Sequence, residues 1–319
     1  MSAKSVFVLG GTGTSGRAAV QALLAAGHRV TCLVRPGAGA LPAGATRREG
    51  LITTPEALVQ DGMGSAQFDA VLSCLASRTG APEDAWAVDY QANSTALAAA
   101  KLAGIGQMVL LSAICVQRPK LAFQHAKLAF EAELQASGLA GTILRPTAFF
   151  KSLSGQVDRV RDGKPFMVFG DGHLTACKPI SDADLGRFLV RCLEDPLAEN
   201  RILPIGGPGP AITPLEQGAL IFELLGETPR YRHVPVAMMT AIIGGLGLAG
   251  RFSAKAAAKA ELARIGRYYA TESMLVWDPA RARYDADATP EFGQDTLRDH
   301  YARMLSGEIT ADLGAHAVF

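Results

Sequence analysis

The chain has 319 residues, of which 49% are hydrophobic and 19% charged, and its formal net charge is +1. This composition is typical of a globular protein with a large core and excludes a disordered or collagen-like chain. A nucleic-acid partner is not expected, because neutralising phosphates requires a basic surface.

Cysteine usage predicts reduced, buried thiols, because the five cysteines show no C-x-x-C spacing and lie in apolar stretches. No Cys/His spacing fits zinc, so no protein-bound metal is expected. The opening Met-Ser-Ala-Lys leads directly into a predicted strand. We therefore expect no signal or transit peptide and predict a bacterial cytoplasmic location.

The predicted elements begin with strands over residues 5–9 and 29–34, which flank a helix over residues 17–26 that ends at Gly27. Further strands are predicted over residues 70–75, 107–112 and 141–144, with a weak one at 46–48, and helices over residues 90–103 and 126–137. Nearly continuous apolar strands that alternate with helices predict an α/β fold. The expected architecture is a Rossmann-like, doubly wound parallel sheet.

The pattern becomes irregular after Pro146, with strand-like runs at 166–169 and 201–205 and helices that begin after Ser181 and Thr213. We therefore predict a dinucleotide-binding domain over residues 1–150. Residues 151–319 form a smaller, mostly helical substrate-binding region, part of which can return to the sheet. The uncharged run 234–250 is shorter than the roughly 20 residues of a spanning helix. It predicts a buried helix, a substrate wall or a surface that touches a membrane.

The segment GGTGTSG at residues 10–16 follows a predicted strand and opens a predicted helix. That context is typical of a dinucleotide site, where glycines let the backbone approach the pyrophosphate at a helix N-terminus. The predicted contacts are Gly10, Thr12, Gly13, Thr14 and Gly16.

Arg35 follows the second strand, where an NAD-selective site usually has an acidic residue. An arginine there suits a 2′-phosphate and predicts NADPH as the cofactor. Arg17 either assists or is a solvated helix charge. Ala76 and Ser77, beyond the third strand, are expected on the adenosine and ribose side.

The segment FQHAK places Lys127 four residues after Phe123, where a short-chain dehydrogenase has Tyr-x-x-x-Lys. A phenyl ring has no exchangeable proton and cannot act as a general acid or base. This favours reduction of a carbon–carbon double bond over ketone or alcohol chemistry. Ser112 is the third candidate catalytic residue, or a hydroxyl that caps the next segment.

Several longer strings are unusual: SCLASRTGAPEDAW from Ser73, LLSAICVQRP from Leu110, FQHAKLAFEAEL from Phe123, the stretch from Arg145 to Leu185, and IGRYYATESMLVWDP from Ile265. Together they resemble the atypical short-chain dehydrogenase/reductases and, within them, the divinyl chlorophyllide a 8-vinyl reductase family. The resemblance implies NADPH-dependent reduction of the 8-vinyl group of a magnesium chlorin or porphyrin to ethyl. This reaction belongs to chlorophyll and bacteriochlorophyll synthesis. The magnesium would belong to the substrate. Leu51 is a departure, because the family usually has an aspartate there.

The resemblance also implies roles for individual residues. Lys127 would bind the nicotinamide ribose, and Pro146 and Thr147 would touch the nicotinamide. On the substrate side, Phe149 and Phe150 would offer apolar surface to the macrocycle, and Met238 and Met239 would add a soft wall. Lys151 would meet a substrate carboxylate, with Lys178 and Arg161 as weaker candidates. Ordinary packing is the alternative for these apolar side chains.

Charge left after hydride transfer would spread into the macrocycle, so water or a weak acid could supply the proton, with His125, Cys115 and Lys178 as candidates. Two other functions stay open: another NADPH-dependent double-bond reductase, and a non-catalytic NADPH-binding sensor or assembly factor. Peripheral contact with a photosynthetic membrane is also expected, and the oligomeric state is open.

Overall fold

The computed structural model describes residues 2–251 and 253–310, and the end of the predicted second domain, 311–319, lies outside that range. The strands are β1 (Ser5–Leu9), β2 (Arg29–Val34), β3 (Thr46–Glu49), β4 (Ala70–Ser73), β5 (Gln107–Leu111), β6 (Ala140–Pro146), β7 (Phe166–Phe169), β8 (Ile202–Ile205), β9 (Tyr231–Val234), β10 (Val276–Asp278) and β11 (Arg283–Asp285). The helices are α1 (Thr14–Ala25), α2 (Pro55–Ala57), α3 (Pro82–Ala85), α4 (Asn93–Leu102), α5 (Ala122–Gln135), α6 (Phe150–Leu153), α7 (Val157–Arg161), α8 (Asp182–Glu194), α9 (Pro214–Leu225), α10 (Val236–Ala249), α11 (Ala254–Thr271) and α12 (Leu297–Leu305).

The central sheet has seven parallel strands in the order β3-β2-β1-β4-β5-β6-β8. The predicted α/β, Rossmann-like architecture is therefore confirmed. The chain runs outward from β1 through β2 and β3 and then returns to β4 beside β1. Ligands bind in such sheets where the strand order reverses, at the carboxyl ends of the strands.

Both faces of the sheet are covered, as the apolar strands require. One face packs against α1 and α8 around Val20, Leu23 and Leu189, and the other packs against α4 and α5 around Leu97 and Phe130. Helices α1 and α8 touch closely, because a Cβ on Gly186 would lie 2.6 Å from the carbonyl oxygen of Ala18. Thus α8 and β8, which follow residue 150, complete the same layered core, while the division near that residue stays a prediction.

Three predicted helix starts are wrong. Helix α1 begins at Thr14, inside the glycine segment, and not at residue 17. Helix α5 begins at Ala122, because the Gln124 side chain accepts hydrogen bonds from the backbone N–H groups of Lys120 (2.7 Å) and Leu121 (3.0 Å). This cap places Phe123 in the first helical turn. Helical structure also starts earlier than predicted before α4, at Pro82, and passes through a π-helical segment, Trp86–Ala92.

Helix α10 is the apolar run noted in the sequence, and it packs along α11 with no side chain fully buried. The strands β7 and β9 pair in parallel, and β10 and β11 form an antiparallel pair. Within residues 2–251 and 253–310, no helix combines the length and apolarity that crossing a bilayer requires. The cysteines are unpaired as predicted, although Cys74 is only partly buried.

Candidate active site

The glycine segment lies at the point where the strand order reverses. Gly10 has φ +78°, and a Cβ there would lie 2.6 Å from the carbonyl oxygen of Cys74. A Cβ on Gly16 would lie 2.1 Å from the carbonyl oxygen of Gly10, so only glycine permits this turn. Helix α1 starts after Gly13 with no side-chain cap and no acidic residue in its first turn. Its N-terminal N–H groups can therefore bind a pyrophosphate, which fits a dinucleotide.

On this segment Thr12 is partly buried and Thr14 is exposed. The ammonium of Lys151 donates to Thr14 Oγ1 at 2.8 Å. This contact directs Lys151 toward the predicted pyrophosphate position, although the sequence suggested a substrate carboxylate as its partner. Arg17 donates to the carbonyl oxygen of Ala40 and so ties α1 to the segment after β2.

The predicted adenosine side carries Arg35, exposed just after β2. Burial alone would raise the pKa of the Asp84 carboxyl, but hydrogen bonds from Thr79 and the charge of Arg35 lower it. The charge of Arg35 therefore acts on Asp84, which lies in α3. Ala76 is exposed, and Ser77 is partly buried on the segment after β4.

Lys127 is buried and is not an exposed helix lysine. Its ammonium lies 2.9 Å from Asp89 Oδ1, with 10% of the lysine side chain and none of the aspartate side chain exposed. The backbone N–H of Ser77 also points at Asp89 Oδ1, at 3.4 Å. The second oxygen, Asp89 Oδ2, is buried without a hydrogen-bond partner in the described structure. The pair fixes Lys127 close to the segment predicted to hold the ribose.

Phe123 is 9% exposed and packs in an apolar cluster with Ile114, Cys115 and Leu121. Burial raises the pKa of the Cys115 thiol, so the thiol is protonated at neutral pH. The hydroxyl of Tyr269 lies 3.9 Å from Cys115 Sγ. His125, by contrast, is exposed on the opposite side of α5.

Ser112 is buried, and its hydroxyl donates to Glu131 of α5. The same carboxylate is held by Arg145, whose Nε lies 3.1 Å from Oε2 and whose Nη2 also donates to it. The Ser112 proton is thus engaged in a buried network between β5, α5 and β6. This contact favours a positioning role over direct contact with a reacting atom.

Beyond β6, Pro146 and Thr147 are buried, and the Thr147 hydroxyl donates to the carbonyl oxygen of Lys178 at 2.5 Å. Lys178 itself is buried, and its ammonium lies 2.5 Å from Glu291 Oε1 and 3.3 Å from the Thr289 carbonyl oxygen. A substrate carboxylate would have to displace Glu291 to reach Lys178.

The residues predicted to form an apolar substrate wall differ in burial and lie in different parts of the structure. Phe150 is 4% exposed and packs in the cluster around α7, α9 and α12, so its ring has little surface for a ligand. Phe149 is partly buried against the core beside α8. Met238 is 49% exposed on α10, whereas Met239 is partly buried. Arg161 pairs with Asp158 on its own helix.

Sequence reasoning missed Asp89, Glu131 and Tyr269. Asp89 lies just before the predicted helix start at residue 90, and its partner is on another helix. Glu131 lies on α5 one helical turn after Lys127, a spacing that could have suggested a shared face. Tyr269 is part of one of the unusual strings, but only the packing of α11 brings it to Cys115.

The chain also matches known proteins. Residues 10–196 match the family model described as NAD(P)H-binding. The chain is 52% identical over 79% of its length to "Divinyl chlorophyllide a 8-vinyl-reductase, chloroplastic" of Cucumis sativus, and it spans 62% of that protein. To the protein of the same name from Zea mays it is 45% identical, over 99% of this chain and 83% of that protein.

A solved isoflavone reductase structure has a similar fold. Its TM-score is 0.67 and its sequence identity 21%, with 95% of this chain and 100% of that chain covered.

Proposed function

Because the chain belongs to the divinyl chlorophyllide a 8-vinyl-reductase family, we propose that it is an NADPH-dependent oxidoreductase acting on a carbon–carbon double bond. It reduces the C8 vinyl group of divinyl chlorophyllide a, or of a close magnesium porphyrin or chlorin precursor, to ethyl. This step serves chlorophyll or bacteriochlorophyll synthesis. The observation that carries the proposal is the buried phenyl ring of Phe123 one helical turn before the buried Lys127. The site keeps the cation but lacks, at position 123, the phenol that a short-chain dehydrogenase uses for carbonyl reduction.

The residues of the chain bind and orient. The N–H groups at the start of α1 hold the pyrophosphate, and Lys151 adds a positive charge beside Thr14. Lys127 binds the nicotinamide ribose while Asp89 limits its movement. Bound NADPH supplies the hydride. Pro146 and Thr147 form the nicotinamide wall at the end of β6.

The proton has to come from a weak acid or from water, because Phe123 offers none. Of the predicted donors, Cys115 lies in the same cluster as Phe123 and holds a proton on Sγ at neutral pH. The ammonium of Lys178 is engaged by Glu291, and His125 is exposed away from the cluster. Cys115 or a water molecule beside it is therefore our preferred donor. The macrocycle can delocalise charge, so a weak acid suffices.

Arg35 selects NADPH over NADH in this proposal. Its exposed guanidinium follows β2, where a 2′-phosphate can meet paired donors. Arg17 plays a different part, because its side chain is bonded to Ala40.

Residues after 150 provide the substrate side. In this division, residues 1–150 bind the cofactor with the help of Lys151, and the elements from α9 to α11 cover the substrate. Helix α10 has no charged residue, and Met238, Ile242 and Leu248 are 49%, 49% and 63% exposed. We infer that this face of α10 touches a photosynthetic membrane, where apolar pigment is available.

The bacterial cytoplasm stays our prediction for the compartment, although the cucumber and maize relatives are named as chloroplastic.

A single assay tests the reaction. The protein is incubated with NADPH and divinyl chlorophyllide a, and the Soret band and product mass are followed. We expect a shift of the band and a gain of two hydrogens, both abolished in Lys127→Met. Unchanged pigment with the wild-type protein would refute the proposal, and pigment binding without turnover would favour a sensor.

Vesicle co-sedimentation tests the membrane contact separately. Wild-type protein should sediment with vesicles, and Ile242→Glu should sediment less, because a charge on the exposed face opposes contact with lipid. Equal sedimentation of the two proteins would contradict the contact.

A further inference from the structure

A cavity of about 240 Å³ lies between α10, α11 and the turn that precedes α5. Ile243 of α10, Leu121 and the ring of Tyr268 give it apolar walls. The remaining wall consists of Thr271 and three basic residues, Lys120, Arg264 and Arg267. A cavity with this combination suits an aliphatic arm that ends in an anion.

The basic wall is only partly neutralised. Lys120 pairs with Glu272, and Arg264 lies 2.8 Å from Glu261. Across the described residues, no carboxylate forms an ion pair with Arg267. Arg267 is also exposed, so its guanidinium can bind an anion without first losing a protein partner. A planar guanidinium binds carboxylates with paired, charge-assisted hydrogen bonds.

The cavity adjoins the candidate active site. Leu121 and Tyr268 line it, and both belong to the apolar cluster that contains Phe123. The Tyr268 hydroxyl donates to the carbonyl oxygens of Cys115 (2.9 Å) and Arg118 (3.1 Å), which fixes α11 against this cluster. An arm bound in the cavity can thus belong to a ligand whose body covers the Phe123 region.

The volume limits what enters. Pockets for whole drug-sized ligands span about 300–1,000 Å³, so a cavity of about 240 Å³ accepts one arm of a macrocycle and not the macrocycle itself. We propose that Arg267 binds the carboxylate of the substrate's acid side chain in this cavity. This inference rests on the proposed function and makes the free acid, not its ester, the preferred substrate. Lys151 and Lys178 are not required for this contact.

The test compares a metal chlorin free acid with its methyl ester. Equilibrium binding of each pigment is measured by absorbance for the wild type, Arg267→Ala and Arg267→Lys. Arg298→Ala serves as the matched control, because its exposed guanidinium pairs with Glu223 away from the cavity. Binding needs no turnover, so the result stands apart from the reductase assay.

We expect Arg267→Ala to weaken binding of the acid by roughly 10- to 100-fold, the range of a charged hydrogen bond, and to leave ester binding unchanged. Arg267→Lys should keep part of the preference for the acid, and Arg298→Ala all of it. Equal binding of acid and ester by the wild type would overturn the inference, as would an equal loss for both pigments in Arg267→Ala. A preference for the acid that depends on Arg267 would support it even if the reductase assay failed.

Discussion

Replacing Lys127 with methionine tests the buried ion pair and the catalytic role in one series of variants. Methionine keeps an unbranched side chain of similar length but removes the ammonium that lies 2.9 Å from Asp89. The Asp89 side chain has no solvent exposure, and its remaining hydrogen bond among the described residues comes from the Ser77 N–H at 3.4 Å. The variant therefore leaves a buried carboxylate almost without compensation.

The burial of this ion pair sets the expected loss in the free energy of unfolding. Removing one partner of a buried pair typically costs about 3–5 kcal/mol, and we expect Lys127→Met to lower the free energy of unfolding by about that amount. Adding Asp89→Asn removes the stranded charge and should restore at least about 2 kcal/mol of the loss. The control Arg298→Met breaks a pair whose side chains are 50% and 63% exposed. It should cost less than about 1 kcal/mol.

Urea unfolding followed by circular dichroism measures stability, and reduction of divinyl chlorophyllide a measures activity. We expect stability and activity to respond differently in the double variant. The double variant regains stability but stays inactive, because the cation at the ribose is still missing. The reasoning about the pair fails if the double variant is no more stable than Lys127→Met. The catalytic assignment fails if the double variant recovers turnover.

Three further outcomes are expected. Arg35→Ala should weaken NADPH binding by about 1.5–3 kcal/mol in calorimetric titration and change NADH binding little, and an equal loss for both cofactors would contradict its role. Phe123→Tyr should not increase kcat, because the reaction does not use a phenol there, and a large gain would refute that claim. Burial alone would raise the pKa of Glu272, but hydrogen bonds from Lys120 and Tyr284 lower it. The ionised Glu272 therefore contributes its full stabilisation above the ordinary carboxyl pKa of 4.5, and this contribution is lost as pH falls through the lower pKa of the folded state. Glu272→Gln should therefore flatten the loss of stability as pH falls below the ordinary carboxyl pKa, and an unchanged profile would count against the pairing of Glu272 with Lys120.

Local rules predicted the parallel α/β core well. Strand runs such as Ser5–Leu9 are apolar throughout because both faces of the sheet are covered, and Gly27 ends α1 with φ +84°. The boundaries were less predictable. The N-cap of α5 is Leu121, which has no side-chain oxygen, where Ser or Thr is usual, so the sequence alone placed the start four residues late.

The candidate site was also only partly predictable from the sequence. The glycine segment, Arg35 and the spacing of Phe123 and Lys127 were visible in the chain, because each belongs to a single turn or helix. The substrate wall was harder to predict, since aromatic residues suit a core as well as a ligand. The structure buries Phe150 in the C-terminal cluster, while Phe149 beside it stays partly accessible.

The sequence by itself determined the nucleotide-binding turn and the absence of a phenol before Lys127, since both depend on neighbouring residues within one element. Only the tertiary structure decided which partners the charged groups meet. Lys127 meets Asp89 from another helix, Lys178 meets Glu291 from a distant loop, and Arg267 lines a cavity without an ion-pair partner among the residues described. A buried charge must be compensated by whichever group packing brings within a few ångströms, and sequence distance does not encode that choice.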